Sequence, residues 1–588
     1  MDQSQTRRPV RIASASGAIT DMPENLSELA KHADVDFIVG DWMSEYNMSS
    51  RGSMKARSVA LRQSSEDAAF EAQFVQSFVS ALPDLARRGL KMAVNAGASD
   101  TERLHDILVK LVRKENLDIK ISWVEGDEVL PAVKQCLFEG QELRNITTGQ
   151  NLKDWNFEPV YAQCYLGCWG IVEAFRHGAD VVVCGRVADA APTMAAAAFW
   201  HNWSRTQYQE LAHSLIAGHL IECSYYVTGG NFTGFKSLPT STIPLLNMPI
   251  ARVQPDGTFY IECHQSPGRG GEVSVNTCRS QLLYELQGPL YYNSDVVAVL
   301  PDVRIEQAGS NSVYVHNVGF VKPPPTTKVG ITACGGFQAE VHYFFTGLDI
   351  EEKGRMLEKQ LRYYLNEADF TLFKVTTSGV AAPNPSSQDA ATVDFRIFAQ
   401  ANNEEALSRR NFLDKCWNLV MSTYPGATFA VDYRQALPKP YCEYFVTILP
   451  LALVNHVAHS PWASKDAVIS PPRDTVPYAY AQGSTDTTAD PVPLSNFGPT
   501  VTAPLGYIVH ARSGDKSSDC NVGFFVRNND EYPWLRSFLT TARIKELLQN
   551  DYNGKTVERF ELPNIHGMLF FSAVRTLCFH LHFRANQA

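Results

Sequence analysis

The sequence lacks the features that mark several large classes of protein. Its 12 cysteines form no C-x-x-C pair, so neither a zinc cluster nor a disulfide framework is indicated and no metal site is predicted. The N-terminal segment carries charge where a signal peptide has an apolar core. The longest apolar run, 445–454, contains a proline and is too short to cross a bilayer. We therefore expect a cytoplasmic protein without a membrane span.

Basic charge and the common catalytic motifs are also scarce. The 52 Lys and Arg residues are outnumbered by 62 Asp and Glu residues, and no basic stripe interleaved with aromatic residues occurs, so nucleic acid is not an expected partner. The chain has no Walker loop, no G-x-G-x-x-G after the first strand, no G-x-S-x-G elbow and no H-E-x-x-H. Nucleotide, serine hydrolase and zinc protease chemistry thus lose their usual support, and no cofactor is predicted.

The composition of the chain is that of a large globular protein. Its 588 residues are 45% hydrophobic and 11% aromatic, which is enough to bury several cores. Strands predicted at 10–13, 38–39, 91–94, 119–124 and 181–184 alternate with helical patterns such as 71–89 and 100–114. This alternation predicts an α/β fold with a doubly wound, mostly parallel sheet.

The pattern changes along the chain and predicts four segments. Residues 1–240 form a Rossmann-like α/β lobe, 241–459 an α+β lobe of the same core, 460–502 a linker, and 503–588 a small C-terminal α/β domain. Predicted strands of the second lobe lie at 258–263, 303–318, 327–337 and 392–398, with a helix at 351–368. In the last segment we predict strands at 508–511, 522–526, 557–562 and 576–583 and a helix at 532–549.

Polar residues follow the strands of the first lobe. Asp41 comes after the second strand, Asn95 after the third, and Arg186 and Asp189 after the 181–184 strand. Ligands of parallel sheets bind beyond the carboxyl ends of the strands, so these side chains predict a binding crevice. Arg186 can present a planar fork to a ligand oxygen, or it can form a structural pair with Asp189; the two interpretations weigh equally.

A histidine and a carboxylate three residues apart form the second candidate. His219 and Glu222 share one face if the segment is helical, and the pair can perform acid–base work on a carbonyl compound. The segment continues through Tyr226, Thr228 and Asn231 in a Thr-Gly-Gly-Asn turn. When this pair is considered alone, the favoured interpretation is that His219 and Glu222 stabilise the helix and take no part in chemistry.

Two further loops are weaker candidates. His264 and Arg269 lie in a glycine-rich segment whose backbone amides can form an anion nest. Residues 512–516 read Arg-Ser-Gly-Asp-Lys and mimic half a phosphate loop, although a charged hairpin turn is the simpler interpretation.

Several motifs in fixed order resemble the acyclic terpene utilisation protein family. They lie at 39–45, 94–97, 165–174, 178–189, 218–223, 228–231, 281–285, 323–325, 512–516 and 561–564. The resemblance implies an intracellular protein that handles isoprenoid skeletons, with a small ferredoxin-like C-terminal domain and self-association into a homo-oligomer. It also implies chemistry of a hydratase, or of an enzyme acting on a coenzyme A ester.

This chain departs from the family pattern in ways that make the pocket more apolar. Ser224 and Tyr226 replace a glycine and a glutamine, and Met22 stands where the family has an arginine. The resemblance to divergent fungal members implies a cofactor-independent, norbornene-forming [4+2] cyclase that acts on an oxidised diterpenoid. A hydrogen bond from Arg186, His219 or a tyrosine would then polarise the dienophile carbonyl.

Two other functions remain open at this level. One is a hydratase or lyase on an isoprenoid-CoA, with His219 and Glu222 as acid and base. The other is a non-catalytic carrier that shields a reactive terpenoid. In all three hypotheses the partner is a small apolar terpenoid, bound near the residues named above.

Overall fold

The computed structural model describes residues 8–61, 69–238, 244–479, 481–499, 501–516, 519–552 and 554–572. They divide into two compact units. The first comprises the described residues of Met1–Trp155, Tyr161–Ile331 and Phe445–Ala588, and the second comprises Asn156–Val160 and Thr332–Tyr444.

The strands and helices of the described residues are as follows. The strands are β1 Val10–Ser14, β2 Phe37–Gly40, β3 Lys91–Val94, β4 Ile121–Glu125, β5 Pro159–Cys164, β6 Val181–Cys184, β7 Pro249–Val253, β8 Phe259–Cys263, β9 Leu290–Tyr292, β10 Val297–Val299, β11 Arg304–Gly309, β12 Ser312–His316, β13 Gly319–Val321, β14 Thr326–Thr346, β15 Leu372–Ser378, β16 Thr392–Ala401, β17 Thr428–Phe429, β18 Lys439–Pro450, β19 Val457–His459, β20 Ala467–Val468, β21 Val509–Lys516, β22 Asp519–Val526, β23 Val557–Leu562 and β24 Gly567–Ser572. The helices are α1 Glu24–His32, α2 Glu45–Leu61, α3 Ala72–Arg88, α4 Thr101–Lys114, α5 Leu130–Phe138, α6 Trp169–Arg176, α7 Ala191–His201, α8 Tyr208–Ile221, α9 Val275–Leu282, α10 Ile350–Tyr364, α11 Asp414–Trp417, α12 Tyr532–Phe538 and α13 Thr541–Leu548.

The first unit is built on an eleven-stranded sheet in the order β11-β12-β8-β7-β1-β2-β3-β6-β4-β19-β20. Its five central strands, β1, β2, β3, β6 and β4, are parallel. Successive residues of β6 point to opposite faces: Val181 and Val183 belong to one hydrophobic cluster, and Val182 and Cys184 belong to another. Helices therefore cover both faces, and the predicted α/β class is confirmed. The sheet is mixed, because antiparallel strands flank its parallel centre on both sides.

Helix α8 differs from the amphipathic helices because its residues from Leu211 to Ile221 are buried on every side. Its packing partner is the start of α7. A Cβ at Gly218 would lie 2.5 Å from the Cβ of Ala190, so only glycine allows this approach. The close contact brings the C-terminal end of α8 next to the loop that follows β6.

The second unit contains an antiparallel sheet in the order β15-β16-β14-β17. Helix α10 packs on it through Leu357 and Leu361, which belong to the same hydrophobic cluster as Ile397 of β16. The helix predicted at 351–368 is present but ends at Tyr364, because the next residue, Leu365, adopts an extended conformation.

The C-terminal segment folds as a four-stranded antiparallel sheet, β21-β22-β24-β23, with α12 and α13. The prediction of a single helix at 532–549 is wrong, because α12 ends at Phe538 and α13 begins at Thr541. The side chain of Thr540 caps α13 by accepting a hydrogen bond from the Arg543 amide. Strand β24 was not predicted, and the strand predicted at 576–583 lies outside the described residues.

Residues 460–502 are largely irregular but contribute a strand to the main sheet, since β20 pairs with β19. None of the helices that the structure describes is both long enough and apolar enough to span a membrane.

The stability of the first unit is expected to depend on aromatic packing beneath the parallel strands. Phe175 is 1% exposed and meets Phe37 edge-on at 5.4 Å between ring centroids. Phe175→Ala should lower the free energy of unfolding by about 3–5 kcal/mol, because it leaves a cavity. Phe138→Ala is the control: Phe138 is 93% exposed, and its change should stay within about 0.5 kcal/mol. Urea unfolding followed by circular dichroism measures both, and equal losses would contradict the assignment.

Candidate functional site

The polar residues after the parallel strands converge, as their positions predicted. The Asn95 amide donates a 2.5 Å hydrogen bond to Asp41 Oδ1. The same Asp41 oxygen accepts from the Met43 amide at 2.8 Å, and Asn95 Oδ1 accepts from the Trp42 amide at 2.7 Å. These bonds tie the ends of β2 and β3 together below the crevice.

Arg186 lies fully buried at the end of β6. Its Nη2 donates to Asp189 Oδ1 at 2.6 Å and its Nη1 donates to the Met43 carbonyl at 3.2 Å. Its backbone amide donates to Asp127 Oδ2 at 2.7 Å. The guanidinium is thus committed to protein partners, which agrees with a structural pair between Arg186 and Asp189.

The Asp41 carboxyl shares this buried region. Burial raises the pKa of Asp41 to about 8, with a further increase from the Asp189 charge that the Arg186 guanidinium opposes only in part. Asp41 is therefore protonated at neutral pH. Burial likewise raises the pKa of Asp127 to about 6.

His219 and Glu222 form a buried pair at the end of α8. His219 Nδ1 lies 3.4 Å from Glu222 Oε1, and His219 Nε2 lies 3.2 Å from the Leu282 carbonyl. Burial raises the pKa of Glu222, the contact with His219 opposes that rise, and the charges of Asp189 and Glu285 add to it, so that the pKa is about 7. Burial lowers the pKa of His219, but the contact with Glu222 outweighs it and the net shift is upward.

A cavity of about 160 Å³ lies beside these groups, within the first unit. Most of its described walls are aromatic or aliphatic, and three charged side chains also face it. The aromatic and aliphatic walls include Tyr165, Tyr291, Tyr292, Tyr478, Ile146, Leu215, Leu290, Pro324 and Ile448, and the charged residues are Asp189, Glu285 and Lys328.

The polar network reaches this cavity through two tyrosines. The ring of Tyr165 lies 4.1 Å from the Arg186 guanidinium, and the ring of Tyr291 meets His219 edge-on at 5.0 Å. Of the predicted residues, Asp189 lines the cavity itself. Arg186, His219 and Glu222 are not among its described lining residues and lie behind it.

The turn that contains Tyr226, Thr228 and Asn231 has a different partner. Arg512 of β21 lies 4.2 Å from the ring of Tyr226 and donates to the Asn231 carbonyl at 3.1 Å. The Thr228 hydroxyl donates to the Asn247 carbonyl at 2.8 Å. The C-terminal four-stranded sheet therefore packs against this turn. Residues 512–516 form part of a strand and not a phosphate loop.

The same sheet supports one wall of the cavity. Arg512 also lies 4.3 Å from the ring of Tyr284. A Cβ at Gly514 would lie 2.6 Å from the backbone nitrogen of Glu285. Glu285 has a φ of 60°, a left-handed conformation that is uncommon outside glycine. The C-terminal sheet thus packs directly against a carboxylate of the cavity.

His264 and Arg269 lie in a separate cluster. His264 Nε2 is 3.8 Å from Glu28 of α1, and burial lowers the pKa of His264. The Arg269 guanidinium donates to the Leu246 carbonyl at 3.1 Å. Neither residue is among the described residues that line the cavity, so these contacts join the loop to its own surroundings.

Sequence reasoning missed most of the cavity walls. Tyr165 and Glu285 lie inside the family motifs at 165–174 and 281–285, and those motifs were the available signal. Tyr291 and Lys328 lie close to motifs but outside them, and no local pattern marks them. Among the described residues, no group of three or more His, Cys, Asp or Glu side chains is arranged to hold a metal ion.

The protonation of Asp41 should make stability depend on pH. Its pKa is about 8 in the folded protein against 3.8 for an exposed carboxyl. The stability that it contributes is complete below about pH 4 and is lost as the pH rises toward about 8. Asn cannot ionise, so Asp41→Asn should gain about 4 kcal/mol relative to the wild type between about pH 5 and about pH 8.

Urea unfolding at several pH values measures this difference. Asp118→Asn, at an exposed position, is the control and should show no gain with pH. A pH-independent difference between Asp41→Asn and the wild type would contradict the buried, protonated carboxyl.

Comparison with known proteins agrees with the resemblance seen in the motifs. Residues 10–460 match the family described as "Acyclic terpene utilisation family protein AtuA", and residues 503–573 match the "AtuA ferredoxin-like domain". Searches of curated proteins and of solved structures found no match. Since the first match covers well over half of the sequence, this chain belongs to the acyclic terpene utilisation family, carries its ferredoxin-like C-terminal domain, and shares its role in the utilisation of acyclic terpenes.

Proposed function

We propose that the chain is a cytoplasmic, cofactor-independent enzyme of terpenoid metabolism that catalyses an intramolecular [4+2] cycloaddition of an oxidised diterpenoid. The observation that carries this proposal is the cavity beside the parallel strand ends. Its walls combine tyrosines with aliphatic side chains such as Leu215 and Ile448. The acid–base pair His219 and Glu222 is buried behind Tyr291.

The reaction suits such a cavity because it transfers no atom to or from the protein. Two carbon–carbon σ bonds form, three π bonds are consumed and one new π bond appears, so the product has the mass of the substrate. Catalysis then consists of holding the diene over the dienophile. Such preorganisation is worth up to roughly 7–11 kcal/mol in well-oriented intramolecular reactions.

The buried network gives the walls a fixed shape. Tyr165 is held at its ring by Arg186, and its hydroxyl donates to Glu45 at 3.1 Å. Tyr292 donates its hydroxyl to the Ala479 carbonyl at 3.1 Å. Rings held by such contacts resist displacement by a flexible substrate.

A second candidate is a hydratase or lyase acting on an isoprenoid-CoA. The observation that favours it is the pKa of Glu222, which is raised to about 7, chiefly by burial, in the range that suits a general acid or base. Asp189 and Glu285 also present carboxylates to the cavity.

Replacement of Glu222 distinguishes the two candidates. Glu222→Gln should leave a cycloaddition within about tenfold of the wild-type rate, because Glu222 holds no proton that the reaction moves. A hydratase that uses Glu222 would lose about 10²–10⁴-fold. Glu210→Gln, in helix α8, which lies just ahead of Glu222 in the chain, is the matched control.

The assay uses a terpenoid that carries a conjugated diene and an α,β-unsaturated aldehyde, followed by chromatography with mass spectrometry. An enzyme-dependent product of unchanged mass supports cycloaddition, and a product heavier by one water supports hydration. Substrate bound without any change in rate would indicate a carrier and would overturn both enzymatic proposals. The coenzyme A thioester of the corresponding acid, supplied in place of the aldehyde, should be hydrated only if the protein is the hydratase.

A further inference from the structure

Lys328 is the one cationic side chain among the described residues that line the cavity. It lies near the start of β14, and its side chain is 31% exposed. Arg186, the neighbouring cation, is buried and bound to Asp189 at 2.6 Å. A ligand in the cavity therefore meets the Lys328 ammonium rather than the Arg186 guanidinium.

The backbone of Lys328 is held firmly against Tyr165. The Tyr165 amide donates to the Lys328 carbonyl at 3.0 Å, and the Thr327 hydroxyl donates to the Tyr165 carbonyl at 2.7 Å. The Ser294 hydroxyl donates to the same Tyr165 carbonyl at 3.0 Å. The ammonium itself lies 4.1 Å from the centre of the Tyr165 ring. These contacts place the charge at the cavity wall without burying it.

The carboxylate nearest to Lys328 is a loose partner. Lys328 Nζ lies 3.6 Å from Glu45 Oε1, beyond the usual hydrogen-bond range. Glu45 also accepts the Tyr165 hydroxyl at 3.1 Å. An ammonium has three donors, so Lys328 can donate to a ligand oxygen while it stays near Glu45.

We propose that Lys328 recognises the oxygenated end of the ligand, and that this end is a carbonyl or carboxylate oxygen rather than a hydroxyl. The inference rests on the proposed function and adds the substrate class: a terpenoid aldehyde or acid. A hydrogen bond from the ammonium to a carbonyl conjugated with the dienophile draws electron density from the reacting double bond, and no covalent bond to the lysine is formed.

Binding of three probes with one carbon skeleton tests this inference. Geranic acid, geranial and geraniol carry a carboxylate, an aldehyde and an alcohol on the same ten-carbon chain, and isothermal titration calorimetry measures their affinities. The wild type should bind geranic acid about tenfold or more tightly than geraniol, because the ammonium forms an ion pair with the carboxylate but only a hydrogen bond with the uncharged hydroxyl. Geranial should fall between the two.

Substitutions then assign the preference to one residue. Lys328→Met should lower the affinity for geranic acid about tenfold or more and change the affinity for geraniol by less than about threefold. Lys328→Arg should restore most of the preference. Lys322→Met is the matched control, since Lys322 forms a 3.4 Å pair with Asp474 and is not among the described lining residues.

The Glu45→Gln variant should change the affinity for geranic acid in the opposite direction. It removes the competing carboxylate and leaves Lys328 in place, so geranic acid should bind several-fold more tightly. Because this variant gains affinity, loss of folding cannot imitate the result.

The outcomes separate the inference from the function on which it rests. Equal binding of the acid and the alcohol, or a preference that survives in Lys328→Met, overturns the role of Lys328 and leaves cycloaddition intact. Failure of all three probes to bind the wild type overturns terpenoid binding in the cavity, and the inference with it.

Discussion

The buried guanidinium of Arg186 is the constraint on which the site depends. Removing such a cation from water costs several kcal/mol unless its partners are well placed. Asp189, the Met43 carbonyl and the ring of Tyr165 provide that compensation. The same contacts place Asp189 and Tyr165 in the cavity wall. The residues that stabilise the buried guanidinium therefore also shape the cavity.

Several carboxyl groups share this region with few cations, and protonation reduces the imbalance. Asp41 holds its proton to about pH 8, and the pKa of Glu222 is raised to about 7. Proton uptake is less costly than burying several negative charges in a medium of low polarity. Protonation of Asp41 therefore reduces the buried negative charge, while the ammonium of Lys328 remains partly exposed at the cavity wall.

The C-terminal sheet is part of the same construction. Arg512 is 3% exposed and packs against the rings of Tyr226 and Tyr284. Gly514 contacts the backbone of Glu285 so closely that a larger residue would displace it. The two matched segments of the family thus meet at a wall of the cavity, which gives the small domain a physical reason to be retained beside the large one.

Local pattern was sufficient for the first lobe. Alternating apolar strands and amphipathic helices predicted β3 with its observed bounds and the parallel centre of the sheet, because helical and strand periodicities are properties of neighbouring residues. The position of ligand sites at the carboxyl ends of parallel strands likewise predicted that Asp41, Asn95 and Arg186 lie close together. The sequence by itself therefore determined the fold class, the family and the edge of the sheet where the candidate site lies.

Only the tertiary structure decided which side chains line the cavity. His219 and Glu222 lie behind Tyr291 because α8 is buried on all sides and Gly218 lets it approach α7. Lys328 reaches the cavity through backbone bonds to Tyr165, a residue far away in the chain. Contacts between distant segments depend on how whole elements pack, and no periodicity within either segment records them.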